Sequence, residues 1–209
     1  MTMALYPDYI TESQLRSYVN SGNIISGTAG TAEIAFAISG ASRAIDSYTG
    51  RQFGLAGSAV ARYYSAFGQG NDEVIVIDDL MTTTGLEVSI NSEPGGSYDT
   101  LLTLNTDYYF EPLNALADNK PYTRIITRDG SFPLWTAGVE VVAKWGWSEV
   151  PALVEQACLI QASRFYNRRN SPYGIAGSPD QGSELRLLSR LDPDVQLLLQ
   201  PLVRPWGVL

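Results

Sequence analysis

A chain of 209 residues, 44% hydrophobic and 17% charged, can bury one sizeable core, or one core with a small satellite module, and is too apolar to be disordered as a whole. It has no histidine and one cysteine, Cys158, so the usual general base and zinc ligand are missing, a disulfide framework is ruled out, and neither a Ser-His-Asp nor a Cys-His site can be built. The formal charge of -8 is uneven: Met1 to Glu155 carries 18 acids against 8 bases, whereas Gln156 to Leu209 carries 4 against 6, so the body repels nucleic acid and the two ends are expected to face different partners, although acidity also serves solubility.

Met1 to Ile10 lacks the basic start and apolar centre of a signal peptide. Nowhere does an apolar run approach the roughly 20 residues of a bilayer span, and the chain reads as soluble, with no membrane partner. Thr11 with Gln14 three residues on matches a capping box and opens a short helix with Leu15, Tyr18 and Val19 on one face. Ser21 to Gly30 reads as a loop. Ile34, Ile38, Ala41, Ile45 and Tyr48 recur at steps of four and three, predicting an amphipathic helix that Gly50 stops.

From Ala59 the period changes to two. Leu86, Val88 and Ile90 alternate with Glu87, Ser89 and Asn91, and Val74 to Ile77 is an apolar run suited to burial on both faces. Further strands are expected near Ala59 to Ser65, Thr100 to Leu104, Tyr108 to Phe110 and Tyr122 to Thr127. Turns are expected at Gly68-Gln69-Gly70-Asn71, Glu93-Pro94-Gly95-Gly96, Asn105-Thr106-Asp107 and Asp129-Gly130. Val139, Val141, Ala143, Trp145 and Trp147 then share the inner face of a strand, opposite Glu140 and Lys144; both tryptophans are expected in a sheet-helix core.

Ser148-Glu149-Val150-Pro151 supplies a capping hydroxyl, an early acid and a first-turn proline for a long helix that turns Leu153, Val154, Ala157, Ile160 and Phe165 inward. Cys158 lies in the same apolar pattern, where a thiol serves as a small hydrophobe. Arg164, Arg168 and Arg169 end this helix; complementing its dipole is the favoured reading over a phosphate patch. Ser171 to Gly182 reads as a loop or surface arm, and Glu184 to Leu191 as a helical turn or two. Asp192-Pro193 then caps a last helix carrying Val195, Leu197, Leu198 and Leu199.

The fold class is therefore α+β. Long helices at about 32–49 and 151–169 form a helical layer beneath an antiparallel β module that interrupts it, and a docking helix or tail follows. The division is 1–58, 59–147, 148–191 and 192–209. Asp78-Asp79 ends a strand, where neighbouring side chains point to opposite faces, so the pair does not converge on a metal or a reaction and reads as a solvated turn. No glycine loop has phosphate-cradling spacing. Cofactors are expected to be none. A carboxylate hydrolase would need two acids facing across a cleft, and no spacing requires that. A carbohydrate- or receptor-binding module would use Tyr63, Tyr64, Tyr109 and Trp135 as an exposed platform; filling of half-buried strand faces is the default for such tyrosines.

The apolar C-terminus, Leu197 to Leu199, Leu202, Val203, Trp206, Val208 and Leu209, must dock on something, either its own domain or a partner. Ala44-Ile45-Asp46-Ser47-Tyr48-Thr49-Gly50-Arg51-Gln52-Phe53, then Val76 to Leu80, Val139 to Pro151, Ser171-Pro172-Tyr173-Gly174 and Leu191-Asp192-Pro193-Asp194-Val195 together resemble the head-tail connector, or head-to-tail adaptor, proteins of long-tailed bacteriophages. The resemblance spans roughly Ala32 to Arg204, and the order of the motifs is its specific part. It implies a structural, non-enzymatic virion protein, made in the host cytoplasm, that forms a ring of twelve copies under the portal. Helices would surround the DNA channel, through which genomic DNA passes without sequence-specific binding, and a stopper or other tail-side connector would be the second partner. Val195, Leu198, Leu199, Leu202, Arg204, Trp206 and Leu209 would dock on the portal or a neighbouring subunit, with Arg164, Arg168 and Arg169 as candidate channel or subunit contacts.

Overall fold

A computed structural model of the chain describes residues 7–20, 30–69, 72–128, 130, 132–168, 175–176, 185–186 and 191–204. Its elements, in order, are α1 (Glu12–Asn20), α2 (Thr31–Thr49), β1 (Val60–Tyr64), β2 (Phe67–Gln69), β3 (Asp72–Leu80), β4 (Glu87–Asn91), β5 (Tyr98–Leu102), β6 (Tyr108–Glu111), β7 (Tyr122–Thr127), β8 (Val139–Ala143), α3 (Ala152–Arg168), β9 (Ile175–Ala176), β10 (Leu185–Arg186) and α4 (Pro193–Leu199), with a 3-10 turn at Gln200–Leu202. The class is α+β. Contacts divide the chain into a β unit, Gly54–Glu149, and a helical unit, Tyr6–Phe53 with Val150–Leu209.

In the β unit two four-stranded antiparallel sheets run in the orders β1-β8-β4-β5 and β2-β3-β7-β6. Their inward residues merge in one core that includes Ile75, Ile77, Val88, Phe110, Ile125, Val141 and Trp145. The two-residue period of Val139 to Trp147 holds throughout, with every odd position buried. Trp145 lies in this sheet core, its indole N–H donating to Val60 O at 2.8 Å, and Trp147 donates to Asp79 Oδ2, also at 2.8 Å. The expected burial on both faces of the β3 run is seen where adjacent Val74 and Ile75 are both buried. Gly68 and Gln69, expected in a turn, belong instead to β2, because the backbone pairs Phe67 with Val74 and Gln69 with Asp72.

Asp78 and Asp79 also differ from expectation. Both lie within β3 and not in a turn: Asp78, its side chain still partly exposed, accepts from Arg62 at 2.5 Å and from Tyr64 OH at 3.1 Å, while Asp79 is buried against the Trp147 indole. The two carboxylates diverge, as alternation requires. Gly146 closes the unit. Its φ is +109°, and a Cβ there would lie 1.8 Å from Gly54 O; Trp147 N–H donates to that same carbonyl. Only glycine permits so close a backbone approach.

In the helical unit the capping box forms as read: Gln14 N–H donates to Thr11 Oγ1 at 3.2 Å, and Thr11 N–H to Gln14 Oε1 at 2.6 Å. Leu15 is buried, but Tyr18 is exposed. The α2 stripe Ile34, Ile38, Ala41 and Ile45 is buried, and Gly50 (φ +64°) ends the helix by donating to Asp46 O. Helix α3 presents another face than expected. Val154, Ala157, Cys158, Gln161, Ala162 and Tyr166 are buried, Leu153 is exposed, and Ile160 and Phe165 are half-buried. A buried glutamine defeats a purely apolar reading of the stripe; Gln161 is tolerated because its Oε1 accepts from Asp192 N–H. Ser148 does not cap α3, its hydroxyl lying against Met81 Sδ, and the first-turn amides of Val154 and Glu155 donate to Pro151 O. Leu185–Arg186, expected as helical, is a strand paired with Ile175–Ala176.

Candidate partner-docking surface

The segment with the strongest docking signature, 192–204, is held from both ends. Asp192 has extended backbone (φ -56°, ψ 137°) and caps α4, its Oδ1 accepting from Asp194 N–H at 2.9 Å. Its other oxygen accepts from Arg164 Nη1 at 2.5 Å. Gln196 Nε2 closes the turn by donating to Leu191 O. Beyond the helix, Arg51 Nε donates to Leu202 O and Arg204 N–H to Thr49 O, both at 2.8 Å.

This anchoring sorts the expected docking residues. Val195 and Leu199 are 0% exposed; they are spent on the core of their own unit and present no surface. Leu197, 70% exposed, and Val203, 36% exposed, are the exposed apolar residues of the segment, and Leu198, Leu202 and Arg204 are half-buried. Alternation around a helix explains the split, since positions four apart share a face and position 197 lies opposite them. Arg164 is an intramolecular residue here, committed to Asp192. Arg168 is half-buried. Arg169, Trp206 and Leu209 lie outside the described residues.

The aromatic residues considered as a platform do not share a face. Tyr63 is exposed on β1 beside Tyr98, at 5.3 Å between ring centroids. Tyr64 points the other way, against Trp145, Tyr109 is on β6 of the second sheet under Arg128, and Trp135 donates to Asn91 Oδ1. Side-chain alternation and the two-sheet topology separate them.

A second polar cluster at the end of α2 was missed by the sequence reading. Tyr9 OH donates to Asp46 Oδ1 and accepts from Phe53 N–H, while Tyr9 N–H donates to Ser42 Oγ at 3.1 Å. Arg43 donates to Pro7 O at 2.7 Å and pairs with Asp46 Oδ2 at 3.2 Å, a charge contact without hydrogen-bond alignment. Burial pushes the Asp46 carboxyl up, against the opposing pull of Tyr9 OH and Arg43. The one sequence signal was the i,i+3 pair Arg43 and Asp46 beside the apolar stripe. Ser42 Oγ also contacts Cys158 Sγ at 3.6 Å; burial pushes that thiol up to about 11, so it is not a nucleophile at neutral pH. Among the described residues no group of three His, Cys, Asp or Glu could hold a metal ion, and no helix is long and apolar enough to cross a membrane.

No protein-family model matches the sequence, and no curated protein matches it. Several chains of solved structures share the fold, two of them from gene transfer agent particles. One is a chain described as the neck of an empty gene transfer agent particle computed with C6 symmetry, 19% identical, covering 99% of this chain and 97% of that one at a TM-score of 0.57. The other is from the virion of a native gene transfer agent particle, 18% identical, with the same coverage and TM-score.

Proposed function

We propose that this chain is a structural protein of a phage-like particle, a head-to-tail adaptor that forms a ring beneath the portal, joins the DNA-filled head to the tail and contributes part of the DNA channel. The observation that carries this reading is the fold shared over 99% of the chain with a protein from a particle neck. The ordered motifs from Ala44 to Val195 support it from the sequence. The ring has twelve copies, with the portal on one side and a stopper or other tail-side connector on the other; the protein resides in the virion after assembly in the host cytoplasm. The helices α2 and α3 form its helical layer. No observation favours a carbohydrate-binding module, since the four rings it needs are dispersed.

Docking is through the exposed and half-exposed apolar residues of 192–204, Leu197 and Val203 with Leu198 and Leu202, and the sequence adds Trp206 and Leu209 to them. Each fully buried side chain contributes roughly 1.5 to 3 kcal/mol before ordering costs. Replacing Leu197 and Val203 together by Asp should leave the unfolding midpoint unchanged, because both are exposed, and lower co-sedimentation with portal-bearing tailless heads at least about tenfold. Undiminished co-sedimentation would place docking elsewhere. Gold labelling of the chain at any position other than the head-tail junction would overturn the adaptor reading itself.

A further inference from the structure

Both ends of the described helical unit converge on one turn. Residues 7–9 reach the last two turns of α2 through Pro7 O, Tyr9 N–H and Tyr9 OH, and Tyr9 OH also takes the Phe53 amide. The Tyr9 ring meets Phe53 edge-on at 5.8 Å. From the other end of the chain, Arg204 N–H binds Thr49 O, and Leu202 O binds Arg51 Nε. The two sets of attachments meet on Thr49 to Phe53, a turn that bends at the left-handed Gly50 and is tied internally by Arg51 N–H donating to Thr49 Oγ1 at 3.3 Å.

We infer that the turn Thr49–Phe53 is a clasp coupling the N-terminal strap at Tyr9 to the C-terminal segment at Leu202–Arg204. Tyr9 is a positioning residue: its hydroxyl fixes Phe53 against Asp46, which sets the backbone of the turn, and the turn presents Thr49 O and the Arg51 side chain to the C-terminal segment. Coupling of this kind is reciprocal. A partner that draws 202–204 away from Thr49 therefore loosens Tyr9, and release of the strap frees the segment for a partner. This functional consequence rests on the docking role proposed above; the coupling itself is a property of the isolated chain.

Amide hydrogen exchange on the isolated full chain tests the coupling without any partner. Tyr9→Phe keeps the ring and removes the hydroxyl, and should speed exchange of the Arg204 amide about three- to tenfold, the equivalent of one net hydrogen bond. The Ala157 and Leu15 amides should stay protected. Arg51→Gln should do the reverse, speeding the Phe53 amide by a similar factor, and it keeps the test open if Tyr9→Phe does not fold. Unchanged Arg204 exchange in Tyr9→Phe, or equal acceleration of all amides in the unit, would overturn the clasp: the first shows no coupling, the second only lost stability. Head co-sedimentation of Tyr9→Phe is read separately. A failure there with altered Arg204 exchange counts against the docking role and leaves the clasp standing.

Discussion

Gly146 and Asp46 show how much one position can hold. At Gly146 a side chain is excluded twice, by a φ of +109° and by Gly54 O at 1.8 Å from the Cβ position. Gly146→Ala should therefore cost at least about 3 kcal/mol, combining backbone strain with displacement of a paired segment. Denaturant unfolding followed by tryptophan fluorescence checks it, and a loss under 1 kcal/mol would mean that Gly54 moves freely. Asp46 acts through its proton. Burial raises its folded pKa above the 3.8 of a free carboxyl, so the folded state holds the proton more tightly than the unfolded chain. Its contribution to stability is full below that value and is lost as pH rises through the raised one. The stability of the wild type relative to Asp46→Asn should accordingly fall as pH is raised above 3.8, measured by urea midpoints across a pH series. A difference that grows with pH contradicts the assignment.

At the scale of elements, capping decides where α4 sits. The Asp192 carboxylate accepts from its own helix amide and from the Arg164 guanidinium, and its backbone N–H donates to Gln161 Oε1. Asp192→Ala should cost about 1 to 2 kcal/mol, the usual worth of a cap with a lost partner, whereas Arg164→Ala should cost under about 1 kcal/mol. Equal losses by thermal unfolding would move the weight from the cap to the ion pair. The same anchoring bears on truncation. A chain ending at Leu191 would discard Val195 and Leu199, which fill their own core, so point changes at Leu197 and Val203 are the cleaner probe of docking. Secondary structure was largely legible at this scale: α2 begins one residue from its expected start, and β7 has its expected limits. The missed elements, β2 and the β9–β10 hairpin, are strands of two or three residues, too short to show a period.

For the whole molecule, charge follows the units and not the halves of the sequence. Gly54 to Glu149 holds 13 acids against 5 bases, and Tyr6 to Phe53 with Val150 to Leu209 holds 9 against 9, so the net -8 belongs to the β unit. Among the described residues that unit is continuous in sequence, and it has its own two-sheet core. Gly54 to Glu149 expressed alone should fold, with a strand-type circular dichroism spectrum and one cooperative urea transition; a spectrum without structure would show that its core needs the helical unit. The helical unit is discontinuous and should not fold from either piece. The sequence by itself determined the elements and their inner faces wherever a period of two or of 3.6 ran long enough, as from Val139 to Trp147 and Ile34 to Ile45, together with the capping box and the exclusion of histidine chemistry, because these are local properties of neighbouring residues. Only the tertiary structure decided that Gln161 is core, that Val195 and Leu199 face inward while Leu197 faces out, that the tyrosines lie on different sheets, and that Tyr9 meets Asp46 and Phe53. Each of these depends on groups far apart in the chain meeting at hydrogen-bond or packing distance, which no local pattern records.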